Sequence, residues 1–131
     1  MTRVFLDTNI VLDYLLSRYP EAAAVEEIYD QCIRGEIECY ISPHSLSNIF
    51  YILRKDYSIA ERKLALSSLC EICQVQEIDE RIVKDALEDP RFDDFEDALQ
   101  MRCAEACNAD VFITRDMNDF RDSKIPVQSK L

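Results

Sequence analysis

Three segments of the chain carry acidic residues at places suited to chemistry. Asp7 and Asp116 each follow a short apolar run, and Asp97 stands at the start of an apolar helical stretch. A buried carboxylate without a partner is costly as an anion, and several close together are more costly still. A divalent cation relieves both costs, and Mg²⁺ and Mn²⁺ prefer carboxylate and water oxygens as ligands. These acids therefore predict a site for Mg²⁺ or Mn²⁺.

A carboxylate site of this kind predicts metal-assisted hydrolysis of a phosphodiester. The cation would activate a water and stabilise the charge that builds on the phosphate and the leaving oxygen. The composition disfavours other chemistries, because one glycine cannot make a glycine-rich phosphate loop and no Gly-x-Ser-x-Gly segment is present. The single histidine, His44, also has an ordinary place in the first turn of a helix.

Helix capping is the alternative explanation for some of these residues. Short polar side chains such as those of residues 7–9 commonly cap a helix. Asp94 and Asp97 likewise fit an N-cap and the third helical position, where acids are favourable. Capping alone does not account for Asp97, because the helix after it is apolar in most directions. That pattern predicts partial burial of the Asp97 carboxylate.

Apolar runs alternate with helical patterns along the chain. Strands are predicted at residues 4–6, 39–41, 75–78, 111–113 and 125–127. Helices are predicted at about residues 10–16, 22–33, 42–55, 59–72, 79–87 and 95–107. This alternation predicts an α/β fold with three layers, α/β/α, in which a parallel sheet of about five strands lies between helices. Because parallel strands end at one edge of a sheet, Asp7 and Asp116 are expected to be neighbours.

Length and composition indicate a single globular domain over residues 1–131. No apolar run approaches the roughly 20 residues that span a bilayer, and no signal peptide is visible. The protein is therefore expected to be soluble, cytoplasmic and independent of membranes. A formal charge of −11 disfavours indiscriminate binding to polyanions. Carboxylates that recruit a cation can still meet a phosphate through that cation.

The six cysteines allow two interpretations. Cys70 and Cys73 form a C-x-x-C pair, which is the spacing of some zinc and redox sites. Cys103 and Cys107, however, continue an apolar helical stripe, and a free cysteine behaves as a small buried hydrophobe in a reducing compartment. We therefore predict that the cysteines are core thiols.

The three acidic segments also resemble a known family. Residues 4–9 (VFLDTN), residues 93–100 (DDFEDALQ) and residues 113–116 (ITRD), followed by Asp119-Phe120, are similar in content and order to the PIN-domain family. That family includes the ribonuclease toxins of VapBC-type toxin–antitoxin pairs. The resemblance covers essentially the whole chain. It implies a PIN-like fold and Mg²⁺- or Mn²⁺-dependent cleavage of RNA. It further implies an antitoxin protein as partner and assembly as a homodimer.

The resemblance also implies roles for individual residues. The acids that match the family's site are Asp7, Asp97, Asp116 and the less constant Asp119, the first three being the metal ligands. The polar residues that match positions around the metal water or the first acid are Thr8, Asn9 and Thr114. The basic residues Arg115 and Arg121 flank the last acids, and we expect them to contact RNA phosphate.

One position departs from the family pattern. Asn48 stands where members usually carry a Glu, in the helix after the second strand. An asparagine offers a carbonyl oxygen and can hydrogen-bond a metal-bound water, but it adds no negative charge. Weaker metal binding than in a four-acid site is therefore expected.

Two functions follow, and a third is disfavoured. The first is a metal-dependent ribonuclease with Asn48 among its catalytic residues. The alternative is a PIN-like module that binds RNA or protein without cutting. A phospho-receiver domain has a similar length, but the chain has no paired acid after its first strand and no Lys ending a late strand. A second basic group, Arg54, Lys55, Arg62 and Lys63, is explained most simply as a solvated face.

Overall fold

A five-stranded parallel sheet forms the centre of the computed structural model, which describes residues 1–131. Its strands are β1 (Thr2–Leu6), β2 (Ile37–Ile41), β3 (Gln74–Val75), β4 (Val111–Ile113) and β5 (Val127–Gln128). The order across the sheet is β3-β2-β1-β4-β5, and each neighbouring pair is parallel. The strand order therefore reverses at β1, and in open α/β sheets such a point places a crevice at the carboxyl ends of the strands.

Six α-helices connect these strands. They are α1 (Thr8–Leu15), α2 (Glu21–Ile33), α3 (Pro43–Ile52), α4 (Ile59–Ile72), α5 (Glu80–Glu88) and α6 (Phe95–Ala106). Two 3₁₀ turns, Leu53–Lys55 and Met117–Phe120, follow α3 and β4. None of the helices combines the length and the apolar character needed to cross a membrane.

Alternating strand residues divide the core between the two faces of the sheet. Val4 and Leu6 of β1 join a buried cluster that includes residues of α1, α2, α3 and α4. Phe5 points the other way, stacks on Phe112 with ring centroids 5.4 Å apart, and packs with α6 residues. Helices therefore cover both faces, and the predicted three-layer α/β/α fold with five parallel strands is confirmed.

Local sequence signals set the ends of several helices. Ser42 caps α3 by accepting a hydrogen bond from the Ser45 backbone, and Pro43 occupies the first helical position. Ser58 and Glu61 form the capping box that opens α4. Gly35 follows the end of α2 with a φ of +75°, a left-handed conformation that other residues adopt only with strain.

The edge strands differ from their predicted positions. β3 is Gln74–Val75 rather than 75–78, because only these two residues pair with the end of β2. β5 is Val127–Gln128 rather than 125–127, since Pro126 has no N–H and contributes only its carbonyl, which accepts from Phe112. The predicted helix 42–55 ends as an α-helix at Ile52 and continues as a 3₁₀ turn.

The prediction of core thiols is correct for most cysteines and wrong for one. The buried cysteines are Cys39, Cys73, Cys103 and Cys107, and Cys32 is partly buried. Cys70 is exposed. The reason is helical geometry: α4 presents Leu69 to the core, and the next residue is turned about 100° toward solvent.

Asp89 joins α5 to α6 through a buried ion pair. Its fully buried carboxylate lies 2.8 Å from Arg91 Nη2 and 3.0 Å from Arg102 Nε. Hydrogen bonding from Arg91 holds the pKa of Asp89 well below its usual range. Asp89 therefore stabilises the fold at any pH above about 4, and this contribution is lost as the pH falls toward the lowered folded-state pKa.

We expect Asp89→Asn to lower the free energy of unfolding by about 3 kcal/mol at pH 7, because it leaves two arginines without their buried partner. Urea unfolding at pH 7 and at pH 3 measures this, and the difference from wild type should shrink at pH 3. Asp85→Asn is the matched control: Asp85 forms an exposed ion pair with Arg81 at 3.7 Å, and its loss should cost under about 0.5 kcal/mol. Equal effects of the two substitutions would contradict the prediction.

Candidate active site

A pocket of about 250 Å³ lies at the carboxyl edge of the sheet, bounded by α1, α3 and α6. Predicted site residues that line it are Asp7, Thr8, Asn9, Asn48, Asp97 and Asp116. A larger depression of about 390 Å³ beside α5 and α6 contains none of them. The structure therefore brings together residues from four separate parts of the chain in one concave place.

The neighbouring strands β1 and β4 bring Asp7 and Asp116 to this edge. Leu6 is in register with Ile113, and the Asp7 backbone N–H donates to the Ile113 carbonyl at 3.0 Å. Asn9 then donates from Nδ2 to Asp116 Oδ2 at 2.9 Å. The expectation that Asp7 and Asp116 are neighbours is confirmed.

Asp7 both caps a helix and faces the pocket. Its Oδ1 accepts from the Thr8 backbone at 2.9 Å and from Gln100 Nε2 at 3.0 Å, and its Oδ2 accepts from the Thr114 hydroxyl at 2.8 Å. Burial raises the pKa of Asp7, these hydrogen bonds oppose the rise, and the charge of Asp116 adds to it. Asp7 therefore both caps α1 and contributes to the pocket, so the two interpretations are compatible.

Asp97 lies in the first turn of α6, partly buried, with Asp94 as the cap that accepts its backbone N–H at 3.1 Å. Burial raises the pKa of Asp97 to about 7, and the carboxylates of Asp94, Asp119, Asp7 and Asp116 add to the rise. Without a bound cation, Asp97 therefore exchanges a proton near neutral pH.

The pocket face of α3 carries Asn48 and His44 one turn apart. His44 Nε2 lies 3.8 Å from the Glu96 carboxylate of α6, and Glu96 also lines the pocket. Asn48 therefore lines the pocket from α3 and adds no negative charge there. The additional negative charge beside Asn48 and His44 comes from Glu96 of α6 rather than from a residue of α3.

Sequence reasoning did not assign a role to Gln100, a buried polar residue beneath the pocket. Gln100, only 3% exposed, donates from Nε2 to Asp7 and, at 2.9 Å, to the Ser45 hydroxyl. Its Oε1 accepts from Ser42, and the Thr8 and Ser45 hydroxyl oxygens lie 2.7 Å apart. The available signal was spacing: Gln100 is a polar residue one turn after Asp97 in an apolar helix, so the two share a face.

Arg115 does not point to the pocket. Its Nη2 donates to Asp13 Oδ1 at 3.1 Å, and its Nε lies 2.7 Å from Oδ2 without hydrogen-bond geometry. Asp13 is completely buried, and Arg18 approaches it at 3.5 Å. This ion pair anchors the segment after β4, which carries Asp116, to α1.

Asp119 and Arg121 lie at the periphery of the site. Both are exposed, and neither lines the pocket. Asp119 is near enough for its charge to raise the pKa of Asp97. Arg121 donates from Nη1 to the Asn118 carbonyl within the same turn.

The donor chemistry of the pocket fits a hydrated divalent cation. The pocket offers carboxylate oxygens as ligands. Burial raises the pKa of Asp7 and of Asp97, so negative charge on these two acids is disfavoured until a bound cation compensates it. No three His, Cys, Asp or Glu side chains are close enough to bind one ion jointly. The residues therefore suit a cation such as Mg²⁺, which keeps several waters and uses one or two carboxylates.

Comparison with known proteins gives a family match and several similar structures. A PIN domain family model matches residues 3–118, and no curated protein matches the chain. Rickettsia felis VapBC2, bound to a promoter DNA fragment, is 15% identical over 97% of this chain and 98% of that chain, with a TM-score of 0.72. Mycobacterium tuberculosis VapC20, a Sarcin-Ricin loop cleaving toxin, is 15% identical over 93% and 95%, with a TM-score of 0.71. A Klebsiella pneumoniae toxin–antitoxin complex is 22% identical over 98% and 99%, with a TM-score of 0.71.

Proposed function

The chain belongs to the PIN-domain family, and from this premise we propose that it is a metal-dependent endoribonuclease and the toxin of a toxin–antitoxin pair. The observation that carries the proposal is the meeting of Asp7, Asp97 and Asp116 in one pocket with the pKa of Asp97 raised to about 7. The cofactor proposed is Mg²⁺ or Mn²⁺, because the acids that would bind it offer carboxylate oxygens.

Each residue of the pocket has a distinct part in this proposal. Asp7, Asp97 and Asp116 would hold the hydrated ion, one or two of them by direct contact and the others through its waters. When bound, the ion supplies Lewis-acid stabilisation of the phosphate and a water of lowered pKa. Thr114 and Gln100 orient the Asp7 carboxylate by donating to its two oxygens. Further polar support comes from Asn9, which holds Asp116, and from Thr8. Asp119 adds peripheral negative charge.

Incubation of the purified protein with mixed RNA tests the function directly. Cleavage is expected in Mg²⁺ and in Mn²⁺ and not in EDTA. Asp97→Asn, purified in parallel, controls for a contaminating nuclease, because cleavage that persists in this variant cannot come from the proposed site. Cleavage that is equal in EDTA and in Mg²⁺ would contradict the proposal.

Asn48→Glu is expected to tighten Mn²⁺ binding about tenfold, since it adds a carboxylate to the pocket wall and ligand charge sets the affinity of such sites. Calorimetric titration with Mn²⁺ measures the change. Ser47→Glu is the matched control: it adds the same charge one residue away on the exposed side of α3 and should leave the affinity near that of wild type. Equal tightening by both variants would show a general charge effect only.

A catalytically impaired PIN-like module is the second candidate. Two observations favour it: Asn48 lines the pocket in place of an acid, and no three acids of the pocket are close enough together to bind one ion directly. RNA binding without cleavage, together with no measurable metal binding at millimolar concentration, would select this candidate. Recovery of cleavage in Asn48→Glu would then identify Asn48 as its cause.

A cognate antitoxin and a homodimer are part of the proposal. The structures named above include toxin–antitoxin complexes, which supports a protein inhibitor as partner for this chain in the cytoplasm. Co-purification with the product of an adjacent gene tests the antitoxin partner. Light scattering of the purified protein measures its mass and so tests the homodimer.

A further inference from the structure

The positive side chains are not evenly neutralised over this acidic protein. Of 15 Lys and Arg residues, eight lie within 4.0 Å of a carboxylate. Four of the seven others lie in one stretch, and they are Arg54, Lys55, Arg62 and Lys63. In a chain with 26 acidic residues, this concentration of unpaired cations indicates a surface kept free for an external anion.

An exposed aromatic residue lies in the same place. Tyr51 of α3 is 59% exposed, and the Arg54 guanidinium carbon stands 3.7 Å from the centroid of its ring. Arg54 Nη1 also donates to the Tyr51 carbonyl at 2.9 Å, which fixes the stacked arrangement. Surfaces that bind single-stranded nucleic acid combine positive charge with flat groups on which bases stack.

This surface continues the face of α3 that forms the pocket. His44, Asn48 and Ile52 line the pocket at four-residue intervals. Lys55 follows three residues later, in the 3₁₀ turn, and so extends the same face. At about 1.5 Å per residue, Lys55 lies about 10 Å beyond Asn48 along the helix axis. A strand leaving the pocket along α3 therefore meets Lys55 and the neighbouring Tyr51 next, and Arg54 is stacked on the Tyr51 ring.

The neighbouring residues hold this surface in place. Arg62 donates from Nη1 to the Phe50 carbonyl at 3.0 Å, and its guanidinium lies over the Phe50 ring. It therefore fixes the start of α4 against α3. Two acids are close to Lys55 in sequence. The Glu61 carboxylate accepts from the Ser58 backbone N–H at 2.9 Å, and Asp56, the residue after Lys55, forms no ion pair.

We propose that Tyr51, Arg54 and Lys55, here named the α3 exit surface, bind single-stranded RNA that extends from the acidic pocket. The nature of the ligand rests on the proposed ribonuclease function, whereas binding at this surface does not require cleavage. The arrangement replaces the earlier expectation for Arg115, whose guanidinium is already engaged by buried Asp13.

RNA binding in EDTA tests the surface without hydrolysis. The probe is a fluorescent 20-nucleotide single-stranded RNA of mixed sequence, titrated by anisotropy over a range of NaCl concentrations. R54Q/K55Q is expected to lose about tenfold or more in affinity at low salt, and the slope of log K against log salt should become shallower by about 1.4, or about 0.7 for each lost phosphate contact. R81Q/K84Q is the matched control, since it removes two exposed charges that are already paired on α5, and it should behave as wild type.

Stacking is tested separately from charge. Tyr51→Leu keeps an apolar side chain and should lose about fivefold or more in affinity with the salt slope unchanged, whereas Tyr51→Phe should bind as wild type. Thermal unfolding reports whether each variant is folded. If R54Q/K55Q does not fold, Lys55→Gln serves alone, because Lys55 has no side-chain hydrogen bond, and its slope should change by about 0.7.

The outcomes separate this surface from the proposed function. Wild-type RNA binding by R54Q/K55Q, or equal losses in R54Q/K55Q and R81Q/K84Q, would overturn the surface. Normal RNA binding by R54Q/K55Q together with lost binding of a polyglutamate peptide would also overturn the proposal. That result would assign the α3 exit surface to an acidic protein segment. If R54Q/K55Q binds RNA more weakly but the wild-type protein does not cleave RNA in Mg²⁺, the result would support RNA binding at the α3 exit surface and overturn the proposed nuclease activity.

Discussion

Asp97→Asn is expected to lower the rate of RNA cleavage at least about a hundredfold and, in the metal-free protein, to raise the free energy of unfolding at pH 7. The loss of rate follows from removing a carboxylate from the pocket in which charge must be stabilised. The gain in stability follows from removing an anion that burial and four nearby carboxylates disfavour. The two effects have opposite signs because one group serves the reaction at the expense of the fold.

The pH dependence gives the stability effect a clear sign. The pKa of Asp97 is about 7 in the folded protein and about 3.9 when unfolded, so the folded state binds more protons between these values. Wild-type stability therefore falls as pH rises from about 4 to about 7. Because Asp97 is only partly buried, the size after solvent screening is on the order of 1–2 kcal/mol.

Urea unfolding in EDTA at pH 5 and pH 7.5, beside cleavage assays in Mg²⁺, measures both effects. Asp94→Asn is the matched control, because Asn caps a helix about as well as Asp and Asp94 does not line the pocket. It should keep most of the activity. A stable, fully active Asp97→Asn variant would remove Asp97 from the site.

Asp13→Asn is expected to destabilise the protein by about 2–3 kcal/mol and to reduce cleavage as well. The substitution leaves Arg115 and Arg18 without their charged partner, and the cost stays below that of a fully buried pair because both arginines are partly exposed. Cleavage should fall because Arg115 precedes Asp116, and the ion pair fixes that segment to α1. Asp13 itself does not line the acidic pocket.

Arg115→Gln distinguishes this positioning role from a direct contact with RNA. A positioning role predicts lower stability, lower kcat and an unchanged salt dependence of RNA binding. A phosphate contact predicts unchanged stability and a salt slope shallower by about 0.7. Denaturant unfolding and RNA titrations on the same variant therefore decide between the two roles.

The sheet and two of the acids, Asp7 and Asp116, were predictable from the sequence for a local reason. Residues 4–7 and 111–116 each show an apolar run that ends in polar residues, and the rule that parallel strands end at one edge needs no further information. The hydrogen bonds that Gln100 and Arg115 make could not be predicted in this way. Gln100 meets Asp7 across 93 residues, and Arg115 meets Asp13 across 102, so both depend on which surfaces pack together.

The predicted bounds of the two short edge strands were wrong for a related reason. Two residues of β3 and two of β5 pair with the sheet, and their limits are set by where β2 and β4 end rather than by their own composition. Composition also could not show that Lys55 lies on the pocket face of α3 while Arg115 turns toward α1. The exposure of a charged side chain depends on its partner, and that partner is often distant in sequence.

The hydrogen bond between Thr114 and Asp7 spans 107 residues, and it has a consequence for synthesis of the protein on the ribosome. Asp7 leaves the exit tunnel well before its supports on α6 and after β4, because Gln100 and Thr114 follow it by 93 and 107 residues. A growing chain that stops before Val111 has β1 without its neighbour β4 and Asp7 without the Thr114 hydroxyl that orients it. Because contacts so distant in sequence form late in folding, the nascent polypeptide is expected to stay inert until Thr114 has been added.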